Sequence, residues 1–186
     1  MIYMHLNSKF IDLCRNRSVF RLVPFDQNEF ENHTYKKPLD YFNFFWKKYE
    51  KFKKEYKKLK KKEINNSYNG SAMEIILTFL FTREKIKIEK MDEEIDIKYV
   101  KPDFILRGNK KKFFISSKVS IRERWKQADW EAIKYKKKYN NDLCILLMNN
   151  KSEYKSILEK ISFLSLDKVY LANSNDLNKM IKLIKF

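Results

Sequence analysis

The sequence predicts an α/β fold in which a mixed central sheet is flanked by helices. Three observations predict it. Residues 84–90 alternate in polarity, and Phe104 to Leu106 is joined to Lys112–Lys118 by a short polar turn, which suits antiparallel pairing. Leu143 to Met148 is an unbroken apolar run, the pattern of a strand buried on both faces. Helical stretches then alternate with strands, and that order requires crossover connections and parallel pairing.

Taken in order, residues 1–37 show no clean period and suit short helices or turns. Pro38 opens a helix, its fixed φ matching the first helical position. Phe42, Phe45, Trp46, Tyr49, Phe52, Tyr56 and Leu59 recur on one face at steps of three and four. The other face carries Lys47, Lys48, Lys51, Lys54, Lys58 and Lys61, a surface suited to solvent or phosphates. Asn65 to Gly70 has turn chemistry and marks a break. Ser71 and Glu74 have capping-box spacing at the start of an apolar helix running to about Phe81.

Residues 84–90 form the next strand and Asp92 to Asp96 an acidic turn. Arg107 to Lys110 turns the hairpin, with Gly108-Asn109 at its tip. A helix is expected from about Ile121 to Tyr139, another from Ser152 to Ile161, a strand from Lys168 to Ala172, and a last helix from Asn175 to Lys185. At 186 residues the chain suits one domain, 1–186, with a helical subregion over 1–64 and a core over 65–186.

The balance of 41 basic against 24 acidic residues gives a net charge of +17, which points to a polyanionic partner, nucleic acid first. Lysine outnumbers arginine 34 to 7, so each arginine is the more telling residue. Arg15, Arg17 and Arg21 lie near the N-terminus, and Arg122 and Arg124 form a close pair. Cys14 and Cys144 sit in no metal-ligand spacing, and Cys144 reads as core. The isolated His5 and His33 make no triad or metal set. With no membrane span and no signal sequence, a cytoplasmic protein is expected.

The chemistry concentrates between Pro102 and Glu131. A hairpin places Asp103, after Pro102, and Lys118, which ends the return strand, at the same open end of the sheet. Phosphodiester hydrolysis requires an in-line water, a sink for charge on the phosphate and a divalent metal. Mg²⁺ takes one or two carboxylates together with waters and phosphate oxygens. Asp103 and Glu131 are candidate metal-ligating carboxylates, and Lys118 a candidate for stabilising developing charge.

This arrangement resembles the PD-(D/E)XK nucleases. Pro102-Asp103 and Ser116-Ser117-Lys118 match their signature, except that Ser116 stands where an acid is usual. The substitution is similar to that of the CCGG-type restriction endonucleases, a subfamily that includes EcoRII, PspGI and NgoMIV. In these the acid has moved to the following helix. Glu131, thirteen residues after Lys118, stands where that pattern expects it. Arg122-Glu123-Arg124 resembles the subfamily's reading motif, in which arginines donate to guanine and the acid accepts from cytosine. Those pairings agree with the donor and acceptor pattern of the major groove. The resemblance also implies a supporting role for Glu74 on the first core helix, beside the alternative that Glu74 only caps that helix.

The resemblance implies a restriction-endonuclease-like core and a type II restriction endonuclease. Its catalytic residues are Asp103, Lys118, Glu131 and Glu74, its metal ligands Asp103 and Glu131, and its cofactor Mg²⁺. It further implies a homodimer on double-stranded DNA, a site containing CC…GG cut to leave 5′ overhangs, and a companion DNA methyltransferase. Two other readings stay open: a nuclease of the same fold that recognises branched or damaged DNA, and a non-catalytic basic nucleic-acid-binding domain. Taken singly, Pro102-Asp103 suits a turn, Lys118 is one of many lysines, Arg122 to Arg124 suit a solvated helix start, and Glu131 suits a surface pair with Lys134 or Lys138.

Overall fold

The computed structural model describes residues 25–64, 67–89, 102–120, 124–139 and 141–186, with Arg124 described by its backbone alone. The acidic turn expected at Asp92 to Asp96, Cys14, His5, the three N-terminal arginines, Arg122 and Glu123 all lie outside these residues. The described helices are α1 (Gln27–Asn32), α2 (Pro38–Lys60), α3 (Ser67–Arg83), α4 (Arg124–Lys138), α5 (Lys151–Leu158) and α6 (Asn175–Lys185). The strands are β1 (Lys87–Glu89), β2 (Phe104–Arg107), β3 (Lys112–Lys118), β4 (Leu143–Met148) and β5 (Lys168–Leu171), joined in that order in one five-stranded sheet. β1, β2 and β3 pair antiparallel, and β3, β4 and β5 pair parallel. The mixed sheet expected from the sequence is present. Among the described residues, no helix is long and apolar enough to cross a membrane.

Alternation along the strands divides two cores. Phe104, Leu106, Phe113, Ile115, Ile145 and Leu147 pack in a cluster with α1, α2, α3 and α6. Ile105, Phe114, Cys144, Leu146, Met148 and Val169 pack against α4 and α5. In α2, Tyr41, Phe42, Phe45, Trp46 and Tyr49 are buried, as the aromatic stripe requires. The stripe outruns the core, however, and Leu59 is 81% exposed.

The start of α3 corrects the sequence reading. The helix begins at Ser67, so residues 67–70 are helical rather than a break, and Ser71 is interior rather than an N-cap. Tertiary contacts override the local turn chemistry: Asn69 Oδ1 accepts from Tyr49 Oη at 2.9 Å and from Lys53 Nζ at 2.9 Å, while Tyr68 packs on the core. At its other end, Lys85 takes φ 60° and the Ile86 amide donates to the Phe81 carbonyl, a left-handed cap. That cap takes residues 84 and 85 from the expected strand and leaves β1 short. Gly108 permits the β2–β3 turn to lie against α6: a Cβ there would meet Phe113 Cε2 at 2.6 Å and the Ile184 carbonyl oxygen at 2.8 Å.

Candidate active site

Phe104 pairs with Ile115 in the β2–β3 ladder, so Asp103 stands opposite Ser116 at the open end of the hairpin. Strand alternation puts Asp103 on the same face as Ile105, and Ser116 and Lys118 on the same face as Phe114, which is the α4 face. Asp103 Oδ2 is the focus of three hydrogen bonds. It accepts from the Ser117 amide at 2.6 Å, from Ser117 Oγ at 3.1 Å and from Lys118 Nζ at 3.0 Å. The ion pair is largely shielded, its side chains 15% and 18% exposed. The carboxylate is thus fixed by backbone geometry as well as by charge.

Glu131 reaches the same face from α4. Ala128, Ala132 and Tyr135 seat that helix on the sheet, with the Tyr135 ring stacked 4.0 Å from Phe114. Glu131 lies among them and is only 4% exposed. Its Oε2 accepts from Ser116 Oγ at 2.9 Å and its Oε1 from Gln127 Nε2 at 2.9 Å. A buried carboxylate is tolerated only where its oxygens are satisfied in this way. This burial excludes the surface pairing with Lys134 or Lys138. Pro102, Ser116, Ala128, Glu131 and Tyr135 line a small cleft beside these groups.

The structure therefore brings together Asp103 and Lys118 directly, and Glu131 through Ser116. Glu74 is half-buried on α3, the helix that packs on the opposite sheet face. Arg124 opens α4, six residues before the exposed Trp130. Three further residues stand at the site. Ser117 anchors Asp103, and Gln127 anchors Glu131 with a legible i,i+4 spacing. Asn149 follows β4, its amide donating to the Lys118 carbonyl at 3.1 Å and its own Oδ1 buried without a partner among the described residues. No sequence signal marks Asn149.

The donor set suits a hard divalent cation. Asp103 and Glu131 provide carboxylate oxygens on one sheet face, with Asp103 Oδ1 outside the three bonds to Oδ2. Among the described residues, no group of three or more His, Cys, Asp or Glu side chains is arranged to hold a metal. Cys144 is no competing nucleophile, since burial pushes its thiol up to about 12.

The fold is that of the restriction endonucleases: the mixed five-stranded sheet with helices on both faces matches theirs in a solved structure. That structure is described as the complex of restriction endonuclease PspGI with substrate DNA. The two chains superpose with a TM-score of 0.57 at 20% sequence identity, over 96% of this chain and 80% of the other. No family model matches the sequence, and no curated protein does.

Proposed function

We propose that this chain is a type II restriction endonuclease that hydrolyses double-stranded DNA with Mg²⁺ at a site containing CC…GG, leaving 5′ overhangs. The observation that carries the reading is the Asp103–Lys118 pair at the open end of the β2–β3 hairpin, with Glu131 held over Ser116. The likeness to an endonuclease bound to its substrate DNA supports it, as does the net charge of +17.

In this reading Asp103 and Glu131 hold the metal. When bound, Mg²⁺ polarises the scissile phosphate and lowers the pKa of the attacking water. Ser117 keeps Asp103 turned toward the cleft, and Ser116 and Gln127 keep Glu131 beside it. Lys118 offers its cation to the attacking water or to charge developing on the phosphate. Arg122, Glu123 and Arg124 read a C·G doublet from the start of α4, and Glu74 assists from α3. A two-fold-symmetric site is served by a homodimer, and a companion DNA methyltransferase protects the host site.

The test is digestion of DNA of known sequence carrying CCGG, CCWGG, CCSGG and CCNGG variants, with Mg²⁺ and then with EDTA. Discrete metal-dependent fragments with mapped 5′ overhangs are expected. Smearing, or cleavage confined to branched DNA, points to the structure-specific nuclease. Binding without cleavage in every metal points to the non-catalytic domain.

A further inference from the structure

We propose that the C-terminal end of α2 and the lysines that follow it, residues 53–62, form an arm that grips the phosphate backbone of duplex DNA, independent of base sequence. This rests on the nuclease reading above and adds a second surface to it.

The core releases α2 before the helix ends. The last buried residue is Tyr49, Phe52 still packs on the core, and Leu59 is 81% exposed. From Lys53 the helix continues for roughly 12 Å at its usual rise. Over residues 51–62 the chain carries eight lysines against Glu55 alone. Lys57 pairs with Glu63, Lys51 lies near Glu55, and Lys53 donates to Asn69. Lys54, Lys58, Lys60, Lys61 and Lys62 are exposed, and none forms an ion pair among the described residues. Lys54 with Lys58 sits at like-charge i,i+4 spacing in the helix, a repulsion that an external polyanion relieves.

The direction of the arm is also informative. α2 and α3 run antiparallel: Arg83, ending α3, lies over the Tyr35 and Tyr41 rings, while Asn69, in its first turn, meets Tyr49 and Lys53. The Arg83 end is at the β2–β3 turn, where Lys185 pairs with Glu84 and its carbonyl accepts from Asn109. The arm therefore leaves the protein at the far end of α3 from Arg83 and that turn. A membrane surface is the poorer partner, because an interfacial helix needs a long continuous apolar face and here, beyond Phe52, which packs on the core, only Tyr56 and Leu59 remain on the apolar stripe.

The test compares the full chain with its Lys54→Gln/Lys58→Gln/Lys60→Gln/Lys61→Gln/Lys62→Gln variant. Dissociation constants for a long non-cognate duplex are measured across a salt series. Each lysine that meets a phosphate contributes about 0.9 to the slope of log K against log[salt], so the variant's slope flattens by up to about 4.5. Its melting temperature and its kcat at saturating cognate DNA stay unchanged, while its KM rises. An unchanged salt slope overturns the arm and leaves the nuclease reading standing. A wild-type chain that binds no duplex removes both. Binding of the wild type to phosphatidylserine vesicles in place of duplex overturns the arm in favour of a membrane contact.

Discussion

Ser116 Oγ donates a 2.9 Å hydrogen bond to Glu131 Oε2, so the strand position opposite Asp103 carries a carboxylate supplied by the neighbouring helix. A serine is small enough to leave the space that Glu131 fills, and Ala128 and Ala132 let α4 approach closely enough to fill it. Ser116→Asp then sets two carboxylates against each other in a site where Glu131 is 4% exposed. We expect that variant to lose about 3–5 kcal/mol of stability in urea unfolding, the cost of a buried charge without a partner. Adding Glu131→Ser relieves the repulsion, and the double-variant cycle yields a coupling of about 1–3 kcal/mol. Additive losses would show that the two positions do not share one site.

Lys118→Ala and Asp103→Asn address the chemistry. Each removes one half of a shielded pair 3.0 Å apart. Lys118→Ala is expected to reduce cleavage by at least about 10²-fold, the scale on which one charge-stabilising donor acts. Specific binding survives, because the proposed base-reading residues, Arg122 to Arg124, are distinct from the pair. Gel-shift titration in Ca²⁺ beside a cleavage assay in Mg²⁺ separates the effects, and joint loss of binding and cleavage would count against the separation.

Gly108→Ala acts at the opposite end of the hairpin. The added Cβ would lie 2.6 Å from Phe113 Cε2 and 2.8 Å from the Ile184 carbonyl oxygen. Backbone at that distance cannot give way as a side-chain tip can, so α6 must shift. A loss of about 1–3 kcal/mol is expected in urea unfolding. Cleavage by the fraction that remains folded is unchanged. An undiminished midpoint would show that the turn and α6 separate freely.

Cys144 is expected to resist alkylation. It is 3% exposed, and its thiol is raised to about 12, first by burial and then by the nearby Asp167 carboxylate. A raised thiol pKa means less thiolate at neutral pH, so iodoacetamide modifies this residue only after unfolding. Peptide mapping of the native chain that found Cys144 fully alkylated would contradict its place in the core.

Much of the fold was legible because local pattern and tertiary context agree along the sheet. β3, β4 and α6 begin and end where their sequence patterns do. The pattern misled where the two levels diverge. Asn69 and Gly70 look like a break until Tyr49 and Lys53 hold Asn69 within a helix, and Leu59 continues a stripe for which no core remains. At the site, hairpin geometry sufficed to bring Asp103 and Lys118 together. The approach of Glu131 to Ser116 depends on how closely α4 seats, which periodicity does not encode. The buried amide of Asn149 depends on what lies beyond the end of β4, which periodicity does not encode either.

Base reading is the remaining element, and the Arg122–Arg124 pair is the place to test it. Arg124 is the first residue of α4, and a helix start is a position from which side chains reach a groove. An arginine that donates to guanine O6 and N7 is worth about 1–3 kcal/mol of discrimination. Arg122→Ala and Arg124→Ala should each reduce the preference for cognate over single-base-substituted sites by about 10- to 100-fold. A phosphate contact behaves differently, weakening all sequences alike and flattening the salt slope. Competition binding with substituted duplexes, run at two salt concentrations, distinguishes the two. Uniform weakening with an intact preference would reassign these arginines from reading bases to holding the backbone.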